Sequence, residues 1–220
     1  MSLDVRRAAI VAMVVVGFAA CEGPGPEGPG LQPPERQGLQ GRDGRSPGPS
    51  GPGHTGPDYA GVSIYALESS LTDQDGRTVR LEDLAGKVVV AAMTYTACPA
   101  VCPRIVGDMQ DIERQLPDHA RNGVQFVLFS LDPDRDTPEA RRRFATTHRL
   151  SEHFRFLAGT EEGTRDLAAV LGLKYQREDN GEIAHSAMIV VLDRTGVVRH
   201  RQAGLTANHA EILAAIAAAR

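Results

Sequence analysis

An α/β sandwich is the fold class this sequence predicts, on three observations. From about Val62 to the C-terminus, apolar runs of strand length alternate with amphipathic stretches of helix length, the pattern of a sheet covered by helices. Upstream lie a short apolar run and a long Gly/Pro-dominated stretch that contribute nothing to a core. The only two cysteines of the folded region, Cys98 and Cys102, follow directly on the first long apolar run. Loops at the carboxyl edge of a sheet are where small α/β domains carry their chemistry.

Taken in order, Tyr65–Leu71 and Arg77–Leu81 read as a small hairpin joined through Asp73-Gln-Asp-Gly76. Strands are expected at Val88–Tyr95, Val124–Leu131, Phe154–Leu157, Ser186–Leu192 and Val197–Arg201, the last two joined by the turn Asp193-Arg-Thr-Gly196. Helices are expected at Pro103–Gln115, Pro138–His148, Glu162–Leu171 and Ala207–Ala219. Thr137 supplies a cap ahead of the first-turn Pro138, and Thr206 supplies one for the Ala-rich last helix. A cysteine pair in the loop after the first long strand makes the specific expectation a thioredoxin-like sandwich with a small N-terminal hairpin.

Three regions follow. Residues 1–21 read as a signal segment: Arg6-Arg7 is a basic start, and Ala8 to Ala20 is too short for a transmembrane helix of about 20 apolar residues. Its ending, Phe18-Ala-Ala-Cys21, resembles the lipobox of bacterial lipoproteins, which makes Cys21 the candidate lipidation site; the alternative is an uncleaved anchor. Either one tethers the chain to a membrane at the extracytoplasmic face, in the bacterial periplasm. Residues 22–58, rich in Gly-Pro repeats, form an extended disordered tether, and their Gly-X-Y register breaks too soon for a collagen helix. Residues 59–220 form the folded domain. A net charge of −4 and the absence of tryptophan exclude a nucleic-acid surface; monomer is the expected state.

Thiols at i and i+4 can approach across a helical turn, close enough for a disulfide or one soft metal ion. Pro103 disfavours helical geometry at Cys102, so the loop is expected to be a tight irregular turn that feeds the helix. Cys98 then lies near a helix N-terminus, which favours the thiolate that metal binding and disulfide exchange both require. A purely structural disulfide is the alternative, but a bridge closing so small a loop constrains the unfolded chain little.

The segment Thr96-Ala-Cys98-Pro-Ala-Val-Cys102-Pro103 resembles the signature of the Sco/SenC family, copper proteins that assist assembly of cytochrome c oxidase. Ser130-Leu-Asp132-Pro-Asp-Arg-Asp136-Thr-Pro138 resembles the family's Asp-Pro-x-x-Asp-Thr segment, and Ala184-His185-Ser186 its histidine block. The resemblance runs from about Tyr65 to the C-terminus and implies copper ligation by Cys98, Cys102 and His185. Two thiolates and an imidazole suit Cu(I), and a further ligand or water extends the set to Cu(II). The implied partner is the copper-bearing oxidase subunit, with other copper carriers or thiol reductants as further partners, and the implied role is metallochaperone rather than enzyme. The same redox-active pair permits thiol-disulfide oxidoreductase activity on oxidase cysteines. A thiol peroxidase fits poorly, because Tyr95 stands where such enzymes carry threonine.

The remaining candidates read as structure. Asp132 and Asp136 are expected to serve loop structure and helix capping before Pro138, with Asp132 also a candidate for orienting a ligand or holding a partner. Arg141-Arg-Arg143 reads as a solvated helix face or a basic patch. His54 falls in the tether, and His119, His148, His153, His200 and His209 read as surface residues.

Overall fold

The computed structural model describes residues 59–205 and 208–220. The signal segment, Cys21, the tether and Thr206 lie outside them. After a 3-10 turn at Ile64–Ala66, β1 (Ser70–Thr72) and β2 (Thr78–Arg80) pair antiparallel. This is the expected hairpin in shortened form. Its turn is held by Asp73, whose Oδ1 accepts from the N–H groups of Asp75 and Arg77, while Gly76 takes φ 79°.

The next elements are β3 (Val88–Thr94), α1 (Val101–Gln115), α2 (Asp118–Arg121), β4 (Val124–Ser130), α3 (Pro138–Thr147), β5 (Phe154–Leu157) and α4 (Glu161–Leu171). β6 (Tyr175–Arg177) and β7 (Ile183–His185) form a separate two-stranded sheet. β8 (Met188–Leu192), β9 (Val198–Ala203) and α5 (His209–Ala218) complete the chain. The main sheet has the order β5-β4-β3-β8-β9, with β3 parallel to β4 and antiparallel to β8. Every residue of β3, β4 and β8 is buried, so these strands read as unbroken apolar runs, as doubly covered strands do.

The two faces of β3 divide the core. Val89, Ala91 and Met93 face one cluster with the β1–β2 hairpin and Leu167, Ala168 and Leu171 of α4; both cysteines belong to it. Val88, Val90 and Ala92 face the other, with Ile105, Met109 and Ile112 of α1, Phe144 of α3, and Ile212 and Ile216 of α5. This is the expected sandwich.

Five expectations are corrected. Cys102 lies within the first turn of α1 rather than in an irregular loop before it. Pro103 is tolerated there because first-turn N–H groups have no intrahelical acceptor to lose. Asn208 is the N-cap of α5, with its side chain accepting from Glu211 N–H, where Thr206 was expected. Asp136 caps nothing: Thr137 caps α3, its hydroxyl accepting from Ala140 N–H. Of the histidines read as surface residues, His119 is exposed but His148, His153, His200 and His209 are half-buried.

The fifth correction concerns Arg141, which is 1% exposed. Its guanidinium donates to the carbonyls of Asp136 (3.0 Å) and Phe156 (2.9 Å), to Thr72 Oγ1 (2.8 Å) and to the Thr72 carbonyl. It ties α3 to β5, to the end of β1 and to the loop after β4. Arg142 and Arg143 are exposed as expected. Replacing Arg141 strands several buried acceptors together, so Arg141→Met is expected to destabilise the fold by about 3 kcal/mol or more. Arg142→Ala or Arg143→Ala should cost no more than about 0.5 kcal/mol. Urea unfolding of the three variants checks the contrast.

Candidate metal centre

Strand direction gathers the three sequence blocks at one edge. β3 ends at Thr94, opposite Ser130 at the end of the parallel β4, so the cysteine loop and the Asp132–Asp136 loop leave the sheet together. β8 runs antiparallel to β3, with Ala91 opposite Val190, so the residues just before β8 arrive at that same edge. His185, the last residue of β7, is among them.

There the Sγ atoms of Cys98 and Cys102 and a ring nitrogen of His185 all lie within 4.8 Å of one another. Cys102 Sγ is 3.7 Å from His185 Nε2. Both cysteines are free thiols and buried. The structure therefore brings together all three residues that the resemblance named, although the sequence separates His185 from Cys102 by 83 positions.

The two thiols differ in kind. Burial pushes the Cys98 thiol up, but hydrogen bonds from the Cys102 thiol and from the N–H groups of Cys102, Ala100 and Val101 outweigh it and bring Cys98 below its ordinary range. The Cys102 N–H to Cys98 Sγ distance is 3.4 Å, so a donor of the first turn of α1 reaches back to the Cys98 sulfur, as the orphan donors of a helix N-terminus do for anions. Cys102, fully buried, is pushed well above its ordinary range by burial and by its hydrogen bond with Cys98. Burial also lowers His185, against a hydrogen bond with the Ser186 carbonyl, and keeps the imidazole neutral, the form that binds metals. Two thiols that release their protons on binding, Cys98 the more readily, and a neutral imidazole can hold one soft cation.

Residues around this trio set its shape. The Asp136 carboxylate accepts from Thr96 N–H (3.0 Å), Thr96 Oγ1 (2.6 Å) and Ser130 Oγ (2.6 Å), which fastens the start of the cysteine loop to the end of β4. Burial raises Asp136 against these donors. Asp132, also buried, pairs with Arg135 and, at 3.1 Å, with Arg177 of β6. Arg135 donates in addition to the Gly181 carbonyl in the β6–β7 turn. Asp132 thus touches none of the trio and grips the hairpin that ends at His185.

Tyr95 and the β6–β7 hairpin were missed by sequence reasoning. Tyr95 Oη accepts from Ile183 N–H (3.4 Å), and its ring meets the His185 imidazole edge-on at 6.0 Å. Burial, with the neighbouring thiols adding to it, raises its phenol, so it stays protonated. The Asn180-Gly181 pair between two short β-prone segments was the available hairpin signal.

The SCO1/SenC family model matches residues 60–219. The chain belongs to the SCO1/SenC family. Among relatives, it is 30% identical over 133 residues to a Stutzerimonas stutzeri protein named for copper binding, an alignment that covers 59% of this chain and 64% of that one. The chain thus spans just under two thirds of that relative's length. Among solved structures, a SCO1/SenC family lipoprotein from Bacillus anthracis superposes with TM-score 0.64 at 27% identity, covering 71% of this chain and 95% of that one. BsSco, described as a Sco-family cytochrome c oxidase assembly protein with a disulfide switch, superposes with TM-score 0.61 at 25% identity over 72% and 95%. The SCO1/SenC fold is the thioredoxin-like sandwich expected from the sequence. Among the described residues of this SCO1/SenC chain, no helix is long and apolar enough to cross a membrane.

The thiol asymmetry has a direct readout. Iodoacetamide added to the reduced native chain is expected to modify Cys98 well before Cys102, with the Cys98 rate rising at lower pH than for an ordinary thiol. Peptide mass mapping against time and pH reads the order, and equal labelling of the two would contradict the asymmetry.

Proposed function

We propose that this chain is a membrane-tethered copper chaperone that holds one copper ion between Cys98, Cys102 and His185 and delivers it to the copper-bearing subunit of cytochrome c oxidase during assembly. The observation that carries this reading is the convergence of two sulfurs and one imidazole nitrogen within 4.8 Å at a sheet edge. Family membership supports it, as do the copper-binding name of the Stutzerimonas relative and the oxidase-assembly role of BsSco. The soft donor set favours Cu(I), and copper is the cargo rather than a resident cofactor. Anchoring through Cys21 is supported by the lipoprotein nature of the Bacillus anthracis relative.

A second reading is thiol-disulfide exchange by Cys98 and Cys102 on oxidase cysteines. The lowered Cys98 thiol and its contact with Cys102 favour it.

An anaerobic Cu(I) titration against a competing chelator separates the two, using the reduced full-length chain carrying Cys21→Ser so that this thiol does not compete. One tight equivalent is expected. Cys98→Ser, Cys102→Ser and His185→Ala should each weaken it by more than about 100-fold, since even outer-shell losses reach that level. Weak binding indifferent to His185→Ala, together with rapid reduction of a disulfide substrate, would overturn the copper reading in favour of a redox dithiol.

A further inference from the structure

Beside the trio lies a cleft of about 340 Å³ that includes Cys98 and His185. Its walls are mostly apolar, with Tyr95 and Val101 among them, and Glu178 and Glu182 form its rim. Both glutamates and Asp179 are exposed on the turn of the β6–β7 hairpin. Among the described residues none of the three carboxylates forms an ion pair. The two arginines of this region, Arg135 and Arg177, are already committed to the buried Asp132. With the buried Asp132 counted, four carboxylates stand against the two guanidiniums, so the hairpin tip presents a net charge of −2, carried by its exposed carboxylates, at the mouth of an apolar slot whose inner end carries the metal-binding groups.

Charge placed this way does little for fold stability, and its physical effect is on encounter. A rim of one sign steers an oppositely charged partner, and an apolar slot behind it gives the partner something to bury once it arrives.

We propose that Glu178, Asp179 and Glu182 form a docking lip for a protein partner whose metal-receiving segment is apolar, carries two thiols and is flanked by lysine or arginine. This rests on the copper-chaperone reading and deepens it by specifying the partner's chemistry. Docking sets the partner's thiols against Cys98 and Cys102. The copper–sulfur bonds to Cys98 and Cys102 and the copper–nitrogen bond to His185 break, two copper–sulfur bonds to the partner form, and copper leaves as a two-coordinate dithiolate, while the partner's two thiol protons pass to Cys98 and Cys102 and His185 returns to the neutral imidazole. Copper remains Cu(I), so the exchange needs neither oxidant nor reductant.

The test uses the reduced, metal-free full-length chain and two fluorescently labelled peptides. Both share an apolar core with two cysteines, one flanked by lysines and the other by glutamates, and binding is read by fluorescence anisotropy. At about 10 mM ionic strength, where the Debye length is about 30 Å, the lysine-flanked peptide is expected to bind at least about tenfold more tightly than its counterpart. The triple variant E178Q/D179N/E182Q should erase that preference, as should salt at about 1 M, where the Debye length falls to about 3 Å. Equal binding of the two peptides to the native chain, or a preference that survives the triple variant, overturns the proposal. So does a triple variant that slows Cu(I) loading while leaving the peptide preference intact, since the lip then serves the ion and not a partner. A Cu(I) titration of the same triple variant keeps the two readings apart. Lost peptide preference with one tight copper equivalent retained locates the lip's role in docking. A native chain that discriminates between the peptides but binds no copper tightly refutes the chaperone reading and leaves the docking surface standing.

Discussion

The buried carboxylate of Asp136 is the contact on which the functional edge of this molecule depends. It joins Thr96, at the start of the cysteine loop, to Ser130, at the end of β4. Its own backbone carbonyl accepts from the buried Arg141 guanidinium, which also reaches β5 and the end of β1. A carboxylate this buried is tolerable only because three donors satisfy it. The result is a continuous polar framework under the loop that carries Cys98 and Cys102. A loop with two prolines and two thiols has little intrinsic preference for one shape, and this framework selects one.

The other half of the site is built differently. His185 pairs with Tyr175 on a two-stranded hairpin that has no ladder to the main sheet. Its position rests on side chains instead: Arg177 on Asp132, Arg135 on the Gly181 carbonyl, and Tyr95 on Ile183 and on the imidazole itself. The thiols are therefore fixed by buried hydrogen bonds and the imidazole by partly exposed contacts. The two sides of the site thus differ in how firmly they are held.

Much of this was legible before any coordinates. The continuous apolar runs of β3 and β4, the Asp73–Gly76 and Asp193–Gly196 turns and the Thr137-Pro138 helix start are local signals, and each appears where expected. The three family-like blocks named the converging residues correctly. Readings that needed a neighbour failed. Arg141 looks like the exposed residues beside it in a run of three arginines, and its burial follows only from the acceptors that β1 and β5 bring to it. Asp136 looks like a cap because it precedes a helix, yet its partners lie at Ser130 and, 40 residues away, at Thr96. The pre-proline rule misplaced Cys102 because it states a preference, and Pro103 in the first turn forfeits no helical hydrogen bond.

By itself, then, the sequence determined the main-sheet strands, the four longer helices and the turns at Asp73–Gly76 and Asp193–Gly196, and the resemblance of its motifs named the three residues that converge. The elements depend on side-chain period and turn chemistry, which are properties of a local window, and the motifs that carry the resemblance are equally short. Only the tertiary structure decided that the donors meet at one edge, that one thiol is lowered and the other raised, and that Asp132, Tyr95 and Arg177 hold the hairpin. Those outcomes depend on strand direction and on the burial of specific atoms, which arise only when distant segments share a sheet and exclude water together.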